Sequence, residues 1–456
     1  MSDYFPEPII EKILLRLPTK CLMKCTAVCK SWMSLIKSST FIRLHLSRTI
    51  QDNDARLLLL NAFSSHPEMS SKSYALLWDD PVFGECKLIN PITYNNGTIV
   101  YKGRNVSAQS LFVIGTCNGL VCLAPDSYVD SPVLIWNPSI RKIVILPSPP
   151  SSRSSGKRYA FGYDSRTNDY KVLIIMIVET RGEIYSLARG TWKSLSAAAT
   201  PVDFVLPGLH NIARALVNVN GSPHWSGGMY RPWGNRGNCI MSFDMVSEVF
   251  CKIEVPEALR EQTCWVSKHG DCLALYMLDR LSPRPSFDFN IWVMKEYGVA
   301  ESWTKLTLRQ EGYLYMHELL YCRREDLVFE RYNGNLHTVD CRTGRVKDYG
   351  IRAAYYFMDY FVESILLLGQ ANAISKGFKS SGTYCKTSPN TWCLQICREV
   401  TMSNNLPVNL PSYALYVYWN WGWNFSEVLI LLVTPSLSGD FWSICTLRQV
   451  LLYSVL

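Results

Sequence analysis

The sequence predicts an α+β multidomain chain: a short three-helix head over residues 1–46, then a long all-β region built from a repeated unit. Three observations carry that prediction. Apolar residues of the opening stretch recur at the three-to-four spacing of helix faces. From about residue 55 to 368, short runs rich in Val, Ile, Tyr and Trp alternate with clusters of Gly, Pro, Asn and Asp, as strands alternate with turns. Within that region an aromatic-bearing strand, a polar turn and a second strand return at a nearly constant interval. The aromatic content of 12% suits pleated surfaces, and 48% hydrophobic residues against 18% charged ones describe a folded chain.

In the head, Ile9, Ile10, Ile13, Leu14 and Leu17 share one helical face. Pro18 ends that helix, because it has no amide proton to donate, and Thr19 begins the next. Leu22, Cys25, Val28 and Cys29 form a second apolar stripe; Trp32, Leu35 and Ile36 form a third. A domain below roughly 60 residues is marginal on its own, so these faces are expected to meet another surface. Cys21, Cys25 and Cys29 repeat every fourth residue, which reads as core lining and not as a metal site. None of the 16 cysteines forms a C-x-x-C pair. No basic, apolar leader opens the chain, so reduced thiols and a cytoplasmic or nuclear location are expected.

This head resembles an F-box, whose pattern is Leu-Pro, then E-I-L-x-R-L-P, then V-C-K-x-W-x-x-L-I. Here stand Phe5-Pro6, then KILLRLP from Lys12 to Pro18, then Val28-Cys29-Lys30-Ser31-Trp32 and Leu35-Ile36. Phe5 replaces the usual leucine, and Pro8 sits in a first helical turn, where a missing amide costs little. The resemblance implies docking on the Skp-family subunit of Skp–cullin–F-box ubiquitin ligases, and through it on a cullin and a RING subunit. It assigns the contact to Pro6, Ile9, Ile10, Ile13, Leu14, Leu17, Pro18, Leu22, Val28, Cys29, Lys30, Trp32, Leu35 and Ile36. Charge agrees. Residues 1–50 carry eight Lys or Arg against three acids, a net +5 of the chain's +8. The Skp family is acidic, as the resemblance implies, and opposite charge speeds and orients encounter. The rest of the chain has no basic block and no aromatic–basic string, so nucleic acid is not expected as a partner.

In the β region the repeated unit appears in VLIWNPSIRKIVILP, EIYSLARGTWKSL, IMSFDMVSEVFCKIEVP, NIWVMKEYGVAESWTKLTL and LHTVDCRTGRVKDYGI. Its anchor positions Trp136, Tyr185, Phe243, Trp292 and Asp340 lie 49, 58, 49 and 48 residues apart. A period near 50 with several strands per unit predicts a β-propeller of the kelch-like size class, with about six blades and seven as the alternative. The longest interval is expected to hold an enlarged loop from Gly227-Gly228 to Gly237. RLLLLNAF (56–63) and YALLW (74–78) read as strands of a first blade, and 355–369 as the closing strand. GTCNGLVCL, WNPSIRK, FGYDSRTNDYKVL, NGSPHW and SFDMVSEVF resemble, in order, the F-box-associated domain of plant F-box families. The Gly-Gly of each strict kelch blade is missing. The domain boundaries expected are 1–46, 47–369 and a divergent, poorly ordered tail over 370–456.

Motifs for chemistry are absent: no H-E-x-x-H, no phosphate-binding Gly-Lys-Ser/Thr loop, no G-x-S-x-G and no dinucleotide fingerprint. No catalytic residue, cofactor or metal is assigned. His224 reads as structural, and Lys171 as a solvated edge charge. Loops on a rigid scaffold are the usual recognition surface. The candidates are 66–73, 148–158, 227–238 and 280–289, with Tyr230, Arg231, Trp233 and Arg236 as the residue types enriched at hot spots. The run 413–433 has the length of a membrane span, but Asn420, Asn424 and Glu427 interrupt it, so it is not read as one. The favoured function is a non-catalytic substrate adaptor. A decoy that binds Skp without a cullin, and a propeller enzyme with ligands at its channel, are the alternatives.

Overall fold

The computed structural model describes residues 6–51, 57–66, 69–79, 85–89, 98–101, 104–107, 111–125, 131–150, 157–176, 181–195, 204–205, 216–229, 237–262, 264–277, 286–311, 316–323, 326–331, 333–340, 342–353, 355–370, 414–419, 428–434 and 443–446. It divides into two compact units, Met1–Lys376 and Gly377–Leu456.

The first unit opens with four helices, α1 (Glu7–Leu14), α2 (Thr19–Cys25), α3 (Lys30–Lys37) and α4 (Ser39–Gln51). The three expected are present, and α4 carries helix past the boundary expected at residue 46. Pro6 and Pro18 stand just ahead of α1 and α2, with extended backbone that starts each helix. The Cys29 sulfur accepts the Trp32 amide at the start of α3. Ser38 Oγ accepts the Phe41 amide at the start of α4, relieving one orphan donor of that first turn. His45 of α4 reaches back to the Leu17 carbonyl at 2.9 Å, which ties the last helix to the end of the first.

Among the described residues, six antiparallel sheets of four or five strands follow, with the strands in chain order except in the first. Sheet I runs Tyr355–Phe361, Leu57–His66, Met69–Trp78, Glu85–Ile89. Sheet II holds Leu111–Cys117, Leu120–Pro125, Leu134–Asn137 and Lys142–Ile145; sheet III holds Lys157–Asp164, Asp169–Met176, Arg181–Ser186 and Thr191–Ser194. In sheet IV, Phe204–Val205 and Leu216–Val219 both pair with Ser222–Met229, followed by Gly237–Asp244 and Val249–Ile253. Sheet V holds Trp265–His269, Cys272–Tyr276, Ser286–Met294 and Trp303–Glu311; sheet VI holds Met316–Arg323, Asp326–Arg331, Asn335–Asp340 and Val346–Arg352. A separate two-stranded ladder joins Thr98–Tyr101 to Arg104–Ser107.

Each sheet buries one flank against the next, and the succession closes on itself. Leu59, Leu76, Val121 and Trp136 join sheets I and II; Ile135, Phe161, Val172 and Tyr185 join II and III. Leu173, Ile184, Trp225 and Phe243 join III and IV; Val219, Ile240, Leu273 and Leu275 join IV and V. Tyr276, Phe289, Phe329 and Val339 join V and VI; Tyr321, Val328, Leu58 and Met358 bring VI back to I. A single four-stranded sheet cannot cover both of its apolar faces, and this cyclic stacking covers them. The closing strand Tyr355–Phe361 pairs antiparallel with Leu57–Phe63, so the two ends of the β region share sheet I. The strand stops at Phe361. Residues 362–369, expected to continue it, turn away together with Gln370 as an irregular strap.

The sequence anchors Trp136, Tyr185, Phe243, Trp292 and Asp340 all fall in the third strand of their sheets, next to the hairpin into the fourth. Four of those hairpins share one local design. Asn137, Asp244 and Asp340 accept the amide two residues on through their side chains, and Ser186 Oγ accepts the amide three on. The residue four positions on has positive φ, namely Arg141, Glu248, Gly344 and Gly190. The polar side chain supplies the acceptor that the turning backbone lacks. The same design recurs at Asp164 and Asn168, between the first two strands of sheet III. The nine-odd extra residues of the longest interval lie mainly elsewhere than expected. Between Ser194 and Leu216 the chain runs through 195–215 and adds the short strand Phe204–Val205, whereas 146–156 suffices between Ile145 and Lys157. The span 66–73 is also mostly strand, ending at His66 and resuming at Met69.

Two indoles bridge neighbouring sheets. Trp192 Nε1 donates to the Pro147 carbonyl at 2.8 Å, and Trp303 Nε1 donates to the Glu254 carbonyl at 3.0 Å. Lys171 is a correction to the sequence reading. It is 6% exposed, and its ammonium donates to Asp164 Oδ2 (2.8 Å), Glu248 Oε1 (2.9 Å) and the Met245 carbonyl (2.7 Å), pinning sheet III to sheet IV. A lysine stem at a strand start becomes buried when its own sheet supplies one acceptor, Asp164, and the chain of the neighbouring sheet supplies two more, so that each of its three protons is taken.

The described residues of the second unit form a three-stranded sheet, Ala414–Trp419, Val428–Thr434 and Ser443–Thr446. The described residues of the apolar run 413–433 form two antiparallel strands, with Ala414 opposite Val433 and Trp419 opposite Val428. Among the described residues no helix is long and apolar enough to cross a membrane.

Candidate docking surface

The four helices split the predicted contact residues into two sets. Leu14, Leu22 and Ile36 are at most 1% exposed. With Cys25 and Phe41 they form a core that Ile140, Ile365 and Leu368 of the β region complete. These three predicted contacts therefore form the interior of the head, and its inner face is covered by the chain itself. Ile9 (40% exposed) and Val28 (41% exposed) stand in solvent, as do Pro6, Pro18, Cys29 and Lys30. Ile10, Ile13, Leu17, Trp32 and Leu35 are half-buried at the border between the two sets. Val28 and Cys29 follow the end of α2, so they leave the stripe that Leu22 and Cys25 begin.

The outer surface is basic. Lys12, Arg16, Lys20, Lys30, Lys37 and Arg43 are all exposed, beside the two described acids Glu7 and Glu11. The buried thiols of the head are not activated: burial pushes Cys25 up to about 11 and raises Cys21 as well. His45 is 3% exposed and burial lowers its pKa, so it serves as an uncharged core residue.

A second polar group lies on the innermost strands of the β region. Lys268 of sheet V pairs with Asp359 of sheet I. Thr116 Oγ1 of sheet II donates to Asp359 Oδ2 at 2.9 Å, and Asn218 Nδ2 of sheet IV donates to the Thr116 carbonyl at 3.3 Å. Ser267, Tyr321 and Val217 line a small cavity beside this pair. The neighbouring Cys117 thiol is pushed up to about 12, chiefly by burial, so it is no nucleophile. His224 is fully buried. Its Nδ1 meets the Ser222 carbonyl at 2.9 Å and its Nε2 meets the Tyr297 hydroxyl at 2.7 Å, the structural role its sequence context predicts. Among the described residues no three His, Cys, Asp or Glu side chains converge as a metal site. Tyr230, Arg231, Trp233 and Arg236 lie outside the described residues.

The split between a covered and an open face was not legible in the sequence, because both sets share the same apolar periodicity. The partners that decide it, Ile140, Ile365 and Leu368, lie more than a hundred residues away.

Known proteins show the same two-part organisation. The F-box domain family model matches residues 3–44, and the F-box associated beta propeller domain model matches residues 71–347, more than half of the chain. The F-box/kelch-repeat protein At3g23880 of Arabidopsis thaliana is 28% identical over 355 residues, covering 75% of this chain and 88% of that protein. The F-box protein CPR1 of the same plant is 26% identical over 393 residues, covering 79% and 88%. A helical head matched as an F-box, set on a cyclic stack of sheets matched as its associated propeller, places the chain in the family of F-box proteins that carry an F-box-associated β-propeller domain.

Proposed function

We propose that this F-box protein is the substrate-recognition adaptor of a Skp–cullin–F-box ubiquitin ligase. Its outer helical surface docks an acidic Skp-family subunit, its propeller holds a target protein, and it supplies no catalytic residue of its own. The observation that carries this reading is the open apolar face of the head. Ile9 and Val28, together with Pro6 and Pro18, remain exposed amid cations after the inner face has been covered by the propeller. Exposed apolar groups of this kind, rimmed by charge, mark interaction sites. The closed succession of six inter-sheet clusters supports six blades.

The topology also suggests which end of the propeller faces the target. Antiparallel alternation puts the first-to-second and third-to-fourth turns of every sheet at one end. The helices contact that end, through Ile140 of a third-to-fourth hairpin. The loops 148–158, 227–238 and 280–289 join strands at the other end. In this reading that end, opposite the helices, receives a target whose lysines are then held near the ubiquitin carrier, raising their effective concentration.

Co-purification of the full chain with a Skp-family protein tests the docking surface. The double variant Ile9→Asp/Val28→Asp should abolish capture and leave far-UV circular dichroism unchanged. Full capture by that variant would refute the assigned surface. Probing the captured complex for a cullin separates a ligase subunit, which recruits one, from a decoy, which does not.

A further inference from the structure

We infer that residues 362–370 make the fold of the F-box head conditional on closure of the propeller ring. Eight buried side chains form the head's core, and three of them come from the β region: Ile140, Ile365 and Leu368. Ile365 and Leu368 belong to the strap that leaves Phe361, the last residue of the closing strand. The strap has two faces. Ile365 and Leu368 enter the helical core, while Leu367, with φ of 69°, turns the opposite way into the cluster between sheets II and III.

The strap is also held by hydrogen bonds. Asn137, fully buried at the end of a third strand in sheet II, donates through Nδ2 to the Ser364 carbonyl (3.0 Å), Ser364 Oγ (3.2 Å) and the Leu366 carbonyl (2.8 Å). The Ser364 amide donates to Ser139 Oγ, and Lys142 Nζ donates to the Leu368 carbonyl at 3.2 Å. Gly119 marks where backbone passes too close for a side chain, and Gly369 marks a second close approach. A Cβ on Gly119 would lie 2.3 Å from the Val362 carbonyl oxygen, and one on Gly369 would lie 3.1 Å from that of Lys37, at the end of α3.

These contacts join three parts of the chain that are far apart in sequence: the helices at 7–51, the hairpin at 137–142 and the strap. A chain whose closing strand has not entered sheet I lacks Ile365 and Leu368 at the head. The inner apolar face of Leu14, Leu22, Ile36 and Phe41 then stays open, and the segment is too short to bury it alone. The docking surface is therefore presented in its native form only by a chain whose ring is shut. This coupling goes beyond the adaptor reading and holds whichever partner the head docks.

Hydrogen exchange with peptide-level mass spectrometry on the full chain tests it. Ile365→Asp places a charge in a dry cluster. The amides of α1 to α4 should exchange at least about tenfold faster, while sheets III, IV and V keep their protection, because local opening energies differ between cooperative units. If Ile365→Asp does not fold, Ile365→Ala decides the question; it removes packing without adding charge, and a smaller acceleration confined to the helices supports the coupling. Unchanged exchange in the helices of either folded variant overturns it. Equal loss of protection in helices and sheets also overturns it, since that reports general destabilisation.

Discussion

Replacing Lys171 by Met removes one ammonium and strands three acceptors. The Asp164 side chain is only 1% exposed, that of Glu248 is 20% exposed, and Met245 is fully buried. Asp164 Oδ1 continues to accept the Arg166 and Thr167 amides, and Lys193 continues to hold the other oxygen of Glu248. The loss therefore falls on Asp164. Breaking a buried pair by removing one partner costs about 3–5 kcal/mol, a large share of the roughly 5–15 kcal/mol by which a domain is stable. The pH dependence gives a second reading. Hydrogen bonds from Lys171 and Thr167 outweigh the burial of Asp164 and hold its carboxyl at about 2, against 3.8 in an unfolded chain. A depressed carboxylate contributes stability that is complete above pH 3.8 and disappears as pH falls through 2. The shift is worth about 2.5 kcal/mol at 1.36 kcal/mol per pH unit. Urea denaturation followed by tryptophan emission, repeated from pH 7 to 2, measures both effects. Lys171→Met should lower stability by about 3 kcal/mol at pH 7, and Asp164→Asn added to it should restore part of the loss. A loss under about 1 kcal/mol, with an acid limb unchanged from the parent, would refute the view that this lysine staples two sheets.

Two further outcomes follow from the same geometry. Gly119 has φ of +83° and no room for a Cβ beside the Val362 carbonyl, so Gly119→Ala should cost about 2 kcal/mol or more by denaturant midpoint; a neutral result would mean the strap yields easily. His224 is held neutral, with burial taking its pKa from 6.5 to about 4, so the unfolded chain gains a proton over that window and the folded chain does not. Stability should thus fall as pH drops below 6.5, by up to about 3 kcal/mol near pH 4, and His224→Gln should flatten that limb in a pH series of melts.

Local chemistry was legible in the sequence where neighbours along the chain settle it. Pro18 and the Ile13–Leu14 spacing marked the first two helices, and Trp136, Tyr185, Phe243, Trp292 and Asp340 marked equivalent third strands. What was hidden depends on distant partners. Lys171 follows a tyrosine at a strand start, as a solvated lysine would, and only Glu248 and Met245 of the next sheet make it a buried cation. The extra length in sheet IV fell before Leu216 because an added edge strand, Phe204–Val205, consumes it there. Helix α4 has Thr40, Arg43, Ser47 and Arg48 among its apolar residues and so shows no clean stripe, although Phe41, His45 and Leu46 share one buried face. The candidate docking residues were found as a set, but their division between interior and surface was set by a strap more than three hundred residues beyond them.

The indoles of Trp192 and Trp303 each stand on a seam, giving a proton to a carbonyl of the adjoining sheet. They act as built-in optical gauges of two separate junctions, III with II and V with IV. In a protein rich in tryptophan, keeping one of these two and changing the other to Phe would reveal which junction parts first under heat or urea, and whether the ring opens at a preferred place or comes apart as a whole.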